Sequence, residues 1–262
     1  MKKLLKIEWM KIRHYKAFWV FSILYFVSIL GINYTGYYIN NLTRQSMPAS
    51  TMLLGSPYGF PKVWQTVGWM SSWLLYFPGI LFIMMLSNEF SFKTHRQNII
   101  DGLSRTQFIN VKFVFVLLFS VVATFFNLIV AFLFGWLTSG VMPGTEGMEN
   151  IIYIFIQTVD YIAFAMFLAV LFRRSGVAIA VFFLYGLIFE WILSAFLNFK
   201  LEIAPIGYFL PLQVTDVLLP IPFGNKIIYK NPPSNLSLII ASVLFISAYY
   251  FFALKKFQKD DL

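Results

Sequence analysis

Apolar residues along this chain gather into six blocks, at 17–39, 66–87, 110–138, 150–172, 177–197 and 236–254, separated by polar or proline-rich intervals. Each block is near the roughly 20 residues that a helix needs to cross about 30 Å of hydrocarbon. The pattern predicts an all-α integral membrane protein with six transmembrane helices and no separate soluble domain, so that residues 1–262 form one unit. Tyr34, Tyr37 and Tyr38 close the first block, and Trp64 and Trp69 stand where the second opens, as in an interfacial aromatic belt. The third block is long enough to tilt or to run past the bilayer.

The intervals carry their own predictions. Residues 1–16 interleave lysines with Leu4, Leu5, Ile7, Trp9, Met10 and Ile12, the pattern of an interfacial helix with its lysines toward anionic lipid. The following apolar run is too long for a signal-peptide core and has no small-residue cleavage site. Residues 40–65 are rich in turn formers and predict a loop, and 140–149 a short turn. Segment 198–235 alternates apolar runs with proline. It is too apolar for a solvated loop and too broken for a seventh helix, so it predicts a re-entrant or interface-lying hairpin packed on protein.

The interval at 88–112, NEFSFKTHRQNIIDGLSRTQFINVK, has helix punctuation of its own. Thr94 and Gln97 fit a capping box, Gly102 suits a left-handed helix end, and Ser104 with Gln107 repeats the box. Leu103 and Phe108 could form the accompanying staple. Together they predict a helix of about two turns, His95–Asp101, set crosswise between two long helices as a docking knob. The plain alternative is a capped turn that only joins two spans.

Composition agrees with a bilayer: 59% of residues are hydrophobic and 12% charged, with mean hydropathy +0.74, whereas soluble domains carry about 25% charged residues. The net charge of +9 suggests nucleic acid only until the charges are located. Fifteen of the 20 Lys and Arg residues fall at the N-terminus, in 88–112, at Arg173 and Arg174, and at the C-terminus; five (Arg44, Lys62, Lys200, Lys226, Lys230) fall in the alternate loops. That asymmetry predicts both termini in the cytoplasm and removes the case for nucleic acid.

Chemistry is scarce. With no cysteine, and with His14 and His95 both in polar segments, thiolate chemistry and an imidazole at membrane depth are excluded. No dinucleotide, Walker or HExxH motif occurs, so no catalytic, cofactor or metal site is expected. Asp160 and Glu190 lie within the fourth and fifth blocks, roughly 10–15 Å below the outer surface at 1.5 Å per residue. Neither has an obvious basic partner in the spans. An acid at such depth is a functional hypothesis, here a place on a translocation path, against the alternative of hydrogen-bonded packing.

The order and spacing of Glu89, Thr94, Arg96, Gly102, Ser104, Arg105 and Lys112, after a second apolar block, resemble the loop between the second and third spans of ABC-2-type permeases. These are membrane subunits of ATP-driven exporters, including bacterial drug and lantibiotic-type systems. The resemblance implies a coupling helix within 88–109 that docks into a partner ATPase through Glu89, Thr94, Arg96, Asn98, Asp101, Gly102 and Arg105. It also implies a connecting helix at the N-terminus, a minor ATPase contact at Arg173–Gly176, and outward-side re-entrant helices before the last span. Two copies of the permease, as homodimer or heterodimer with a similar chain, would stand on two ATPase subunits in the bacterial cell membrane. ATP and Mg would be bound by the ATPase, this chain being no enzyme. The alternatives are a proton-coupled transporter using Asp160 and Glu190, and a non-transporting immunity or assembly factor.

Overall fold

A computed structural model describes residues 2–46, 56–201, 205–222, 229 and 231–259, and the regular structure among them is entirely helical. In chain order the helices are α1 (Lys2–Arg13), α2 (Lys16–Ser46), α3 (Val63–Ser72), α4 (Tyr76–Ser91), α5 (Thr94–Ile100), α6 (Arg105–Ser139), α7 (Glu149–Phe172), α8 (Ser175–Lys200), α9 (Gln213–Leu218) and α10 (Asn235–Lys259). Five of them, α2, α6, α7, α8 and α10, are long and apolar enough to cross a membrane; α3 and α4 would supply a sixth if they count as one broken span.

Three of the six blocks differ in length or shape from expectation, two of them for a visible local reason. The helix of the first block, α2, runs to Ser46, seven residues into the expected 40–65 loop, because no Gly or Pro follows Gly36 until Pro48 and the Thr43 and Ser46 hydroxyls bond back to Ile39 and Leu42. Residues 47–55 lie outside the described set. The second block is not one rod over 66–87: α3 and α4 meet at a bend of 44°. Pro78 has no N–H for the Leu74 carbonyl and its ring crowds that oxygen. Tight turns, Leu74 N–H to Ser71 and Leu75 N–H to Ser72, carry the chain round the break. The fifth block is continuous but contains two π turns, Leu184–Phe189 and Phe196–Lys200.

The core sits around α7. In its most apolar stretch 78% of residues are buried, against 22–28% in the other four long helices, so α7 is the central post. The outer helices turn apolar stripes away from the bundle, such as Val20, Ile23, Leu24 and Val27 on α2 and Leu118, Val121, Val122 and Phe125 on α6. Stripes at this helical spacing suit a hydrocarbon surround.

The described part of 198–235 is a 3₁₀ turn at Ile206–Phe209 followed by α9. Both pack inside the bundle: Tyr208, Val214 and Leu218 share a small core with Tyr153, Ile154 and Leu238. Residues 202–204, 223–228 and 230 of the expected hairpin lie outside the described residues. At the other end, Phe257 of α10 stacks on Phe108 of α6 (4.9 Å) and meets Phe90 of α4, so the last turns of α10 and the 88–112 interval share one end of the bundle.

Candidate functional site

The polar interval folds into the expected short helix, with a different first cap. Lys93, left-handed at φ 56°, precedes α5, so Thr94 is already helical and stands one position too late to cap. The Thr94–Gln97 box is therefore not formed. The Thr94 hydroxyl donates to the Glu89 carbonyl (3.4 Å) and the Gln97 amide to Asp101 Oδ1 (2.9 Å). The helix spans Thr94–Ile100, one residue earlier than His95–Asp101. Its end matches expectation: Gly102 takes φ 101°, a conformation that costs glycine nothing. Ser104 and Gln107 form the full box that starts α6, with the Gln107 N–H donating to Ser104 Oγ (3.1 Å) and the Ser104 N–H to Gln107 Oε1 (3.0 Å).

One side chain of α5 is buried, and Ile99 packs partly against the core beside it. His95 is buried, its Nδ1–H donates to the Glu89 carbonyl (2.9 Å), and its ring lies against Phe90 and Phe257. Burial pushes the imidazole below its ordinary pKa; the carbonyl bond opposes this, and the Arg173 and Arg96 charges add to it. His95 thus works as an anchor. Outward, Phe92 and Ile100 are each 76% exposed, beside exposed Thr94, Arg96, Asp101 and Gly102.

The knob is braced from below by a charge network that the sequence reading missed. Lys112, buried in the second turn of α6, pairs with both Glu8 of α1 and Glu89 of α4. Lys11 reaches Glu8 (3.4 Å) and donates to Asn98 Oδ1 on α5 (3.3 Å). Burial alone would raise the Glu8 carboxyl, but Lys112 and Lys11 outweigh it and hold the group below its ordinary value. The available signal was Glu8 itself, the one acid in a lysine-rich leader. Arg105 donates to the carbonyls of Phe257 and Gln258, closing the end of α10, a usual use of a basic side chain there. The Arg173 guanidinium lies over the Phe90 ring at 5.4 Å. Of the seven residues expected to dock, Thr94, Arg96, Asp101 and Gly102 are exposed and Asn98 is half-buried. Glu89 and Arg105 are committed within the chain. A groove of about 350 Å³ lined by Glu8, Lys11, Asn88 and Thr94 runs beside them.

The two intramembrane acids meet at α9. Glu190 Oε1 accepts the Leu212 and Gln213 N–H groups (2.8 and 3.2 Å), which are orphan donors at the start of that helix. Asp160 Oδ2 lies 3.1 Å from Thr215 Oγ1, and Oδ1 is buried without a hydrogen-bond partner. A third acid joins them. Asp216 accepts from Gln157 Nε2 (2.8 Å) and Tyr161 Oη (2.9 Å). It is the only charged residue between Glu202 and Lys226, which could have marked it. The cavity at this level is lined by Asp216 and not by Asp160 or Glu190. No cluster fit to hold a metal ion occurs among the described residues.

A protein-family model described as "Protein of unknown function (DUF2705)" matches residues 61–262, the region from the start of α3 through α10. No curated protein matches the sequence.

Proposed function

The chain belongs to the DUF2705 family, whose description assigns no activity, and from its geometry we propose that it is the membrane-spanning permease subunit of an ATP-driven exporter. In this proposal α3 and α4 form one broken span, giving six. Both termini and α5 lie in the cytoplasm of a bacterial cell, on the side carrying fifteen of the 20 Lys and Arg residues, as the positive-inside rule expects. Two copies pair to form the membrane core, and an ATPase subunit docks under each.

The observation that carries the proposal is α5: a short helix pinned inward by His95 and braced by the Glu8–Lys112–Glu89 network, with Phe92 and Ile100 standing in the open. Large apolar side chains beside an exposed arginine at a polar bundle end suit a protein partner. ATP binding on that partner biases two membrane conformations only through unequal contact with the knob in each state. The lever is α4 rather than a rigid pair of spans, because the chain breaks at 73–75.

The test is capture of the tagged chain from the membranes of a bacterium whose genome encodes it. The chain should bring down a polypeptide labelled by an ATP photoaffinity probe, and Phe92→Asp with Ile100→Asp should release it while leaving the thermal melt unchanged. A chain that transports in vesicles without any such companion defeats the proposal. The three carboxylates around α9 favour a second function, proton-coupled transport, which would follow a pH gradient and ignore ATP. Against it, Glu190 is engaged by two backbone N–H groups as a structural tie.

A further inference from the structure

The cavity beside Asp216 plays no part in the docking end, and it lies where two helical irregularities face each other. One is the break between α3 and α4; the other is the π turn Leu184–Phe189 of α8. π turns in long helices often mark functional positions. We propose that this cavity is a binding site for a primary ammonium group.

The walls are aromatic. Trp73 and Trp191 stack at 6.3 Å, Trp69 meets Trp73 edge-on at 6.4 Å, and Tyr76 meets Tyr161 edge-on at 5.7 Å. Ring faces attract cations, tryptophan most strongly. Asp216 supplies the negative charge, and its bonded partners are the neutral groups of Gln157 and Tyr161. None of the described residues lining the cavity is Lys, Arg or His. A carboxylate among aromatic faces, with no cation among the described lining residues, suits a cation from outside.

Size narrows the class. The cavity holds about 20 Å³, enough for one water-sized group. An –NH₃⁺ head fits that space and a tetraalkylammonium does not. The ammonium brings three donors and no acceptor, and acceptors are at hand: the Asp216 carboxylate, and Ser72 Oγ, whose own proton goes to the Trp69 carbonyl (2.7 Å) and leaves its lone pairs to accept. The ammonium could belong to a soluble amine or to an ethanolamine lipid headgroup; the chemistry recognised is the same.

None of the residues lining the site belongs to the docking end, so it is tested on the purified chain alone, in nanodiscs of phosphatidylglycerol at matched ionic strength. Tryptophan fluorescence should change saturably with methylammonium and at least tenfold more weakly with tetramethylammonium. Asp216→Asn and Trp73→Leu should each weaken the methylammonium response at least tenfold, with Trp73→Leu deciding the matter if the first variant loses its helical circular dichroism. Discs containing phosphatidylethanolamine separate the sources: loss of the methylammonium response there assigns the site to the lipid headgroup, and its persistence assigns it to soluble amines. No response up to about 0.1 M, which saturates any site of millimolar affinity, overturns the proposal. So does an equal response to the two cations, or an unchanged response in the folded variants.

Discussion

Replacing Lys112 by Met tests whether the knob is held by buried charge. The change keeps the aliphatic stem and removes the cation that Glu8 and Glu89 share, leaving two carboxylates whose side chains are only 8% and 13% exposed. Removing one partner of a buried pair costs about 3–5 kcal/mol, because the other charge stays buried without compensation. Lys11, 3.4 Å from Glu8 and 37% exposed, still covers one of the acids, which places the cost near the lower figure, about 3 kcal/mol. At about 2–4 °C per kcal/mol for a chain of this size, Tm of the purified protein should fall by about 6–12 °C. Glu8→Gln alone leaves Lys112 paired with Glu89 and should cost about 1 kcal/mol. The neutral triple variant, Glu8→Gln with Glu89→Gln and Lys112→Met, strands no charge and should melt within a few degrees of the wild type. Thermal melts followed by tryptophan fluorescence, with limited proteolysis to detect release of α1, read all three. A Lys112→Met melt within about 1–2 °C of wild type, less than 1 kcal/mol on the same scale, refutes the argument, as does a triple variant no better than the single one. Acid offers an independent reading. The folded Glu8 carboxyl lies below its ordinary 4.5, so its stabilising contribution is present above that pH and lost as pH falls through the folded value. Burial holds Glu89 above its ordinary value and gives it the opposite sign, so the Glu8 part is read in the Glu89→Gln background.

Three further outcomes follow from the same geometry. Ser104→Ala removes the box that starts α6 and should lower stability by about 1 kcal/mol, seen as a lower Tm with unchanged helical content. His95 is held below its ordinary 6.5, so the unfolded chain takes the proton more readily. Stability should be flat above that pH and decline below it, and His95→Gln should remove that part of the slope in melts run between pH 7.5 and 5.5. At Gly186 a Cβ would lie 2.5 Å from Tyr76 Oη. Gly186→Ala should therefore cost about 1–3 kcal/mol as overpacking and, by moving the tyrosine, weaken the methylammonium response.

Long apolar blocks were legible because each spanning helix writes about 20 consecutive apolar residues, a signal that needs no tertiary knowledge. The knob was legible for a related reason: Gly102, Ser104 and Gln107 act on their own backbone neighbours, within three residues. Contacts between distant positions were not readable. Glu8 pairs with a lysine 104 positions away, and Asp216 receives bonds from α7, 55 and 59 positions before it, so neither acid announced its partner. The first capping box failed because its logic presumes an extended residue before the helix, and the left-handed Lys93 took that place. The break at 73–75 could have been read from Pro78, which was passed over inside an otherwise continuous apolar run. Asp160 and Glu190 were recognised as deep acids, but their depth said nothing of whether they face a cavity or, as Glu190 does, tie down a neighbouring helix.

The knob and the cavity are joined by one element. α4 runs from Tyr76 at the cavity to Glu89 and Phe90 under α5, 16 residues or about 24 Å of unbroken helix. A push on α5 reaches α4 through the His95–Glu89 bond and the Lys112 network, and the nearest place where α4 can hinge is the break at 73–75. Trp73 stands at that break, and its ring lines the cavity beside Trp191. A tilt of about 5° over a 24 Å lever displaces one end by about 2 Å, more than the slack in a void with room for a single water. If the cavity holds an ammonium head as proposed, such a tilt changes how well that head fits. Binding linkage then makes the effect reciprocal: if a docked ATPase changes methylammonium affinity by some factor, methylammonium must change ATPase affinity by the same factor. Measuring both constants in one nanodisc preparation decides whether α4 couples the two sites. Equal factors different from one make it the lever, and factors of one leave the two ends of the bundle energetically separate.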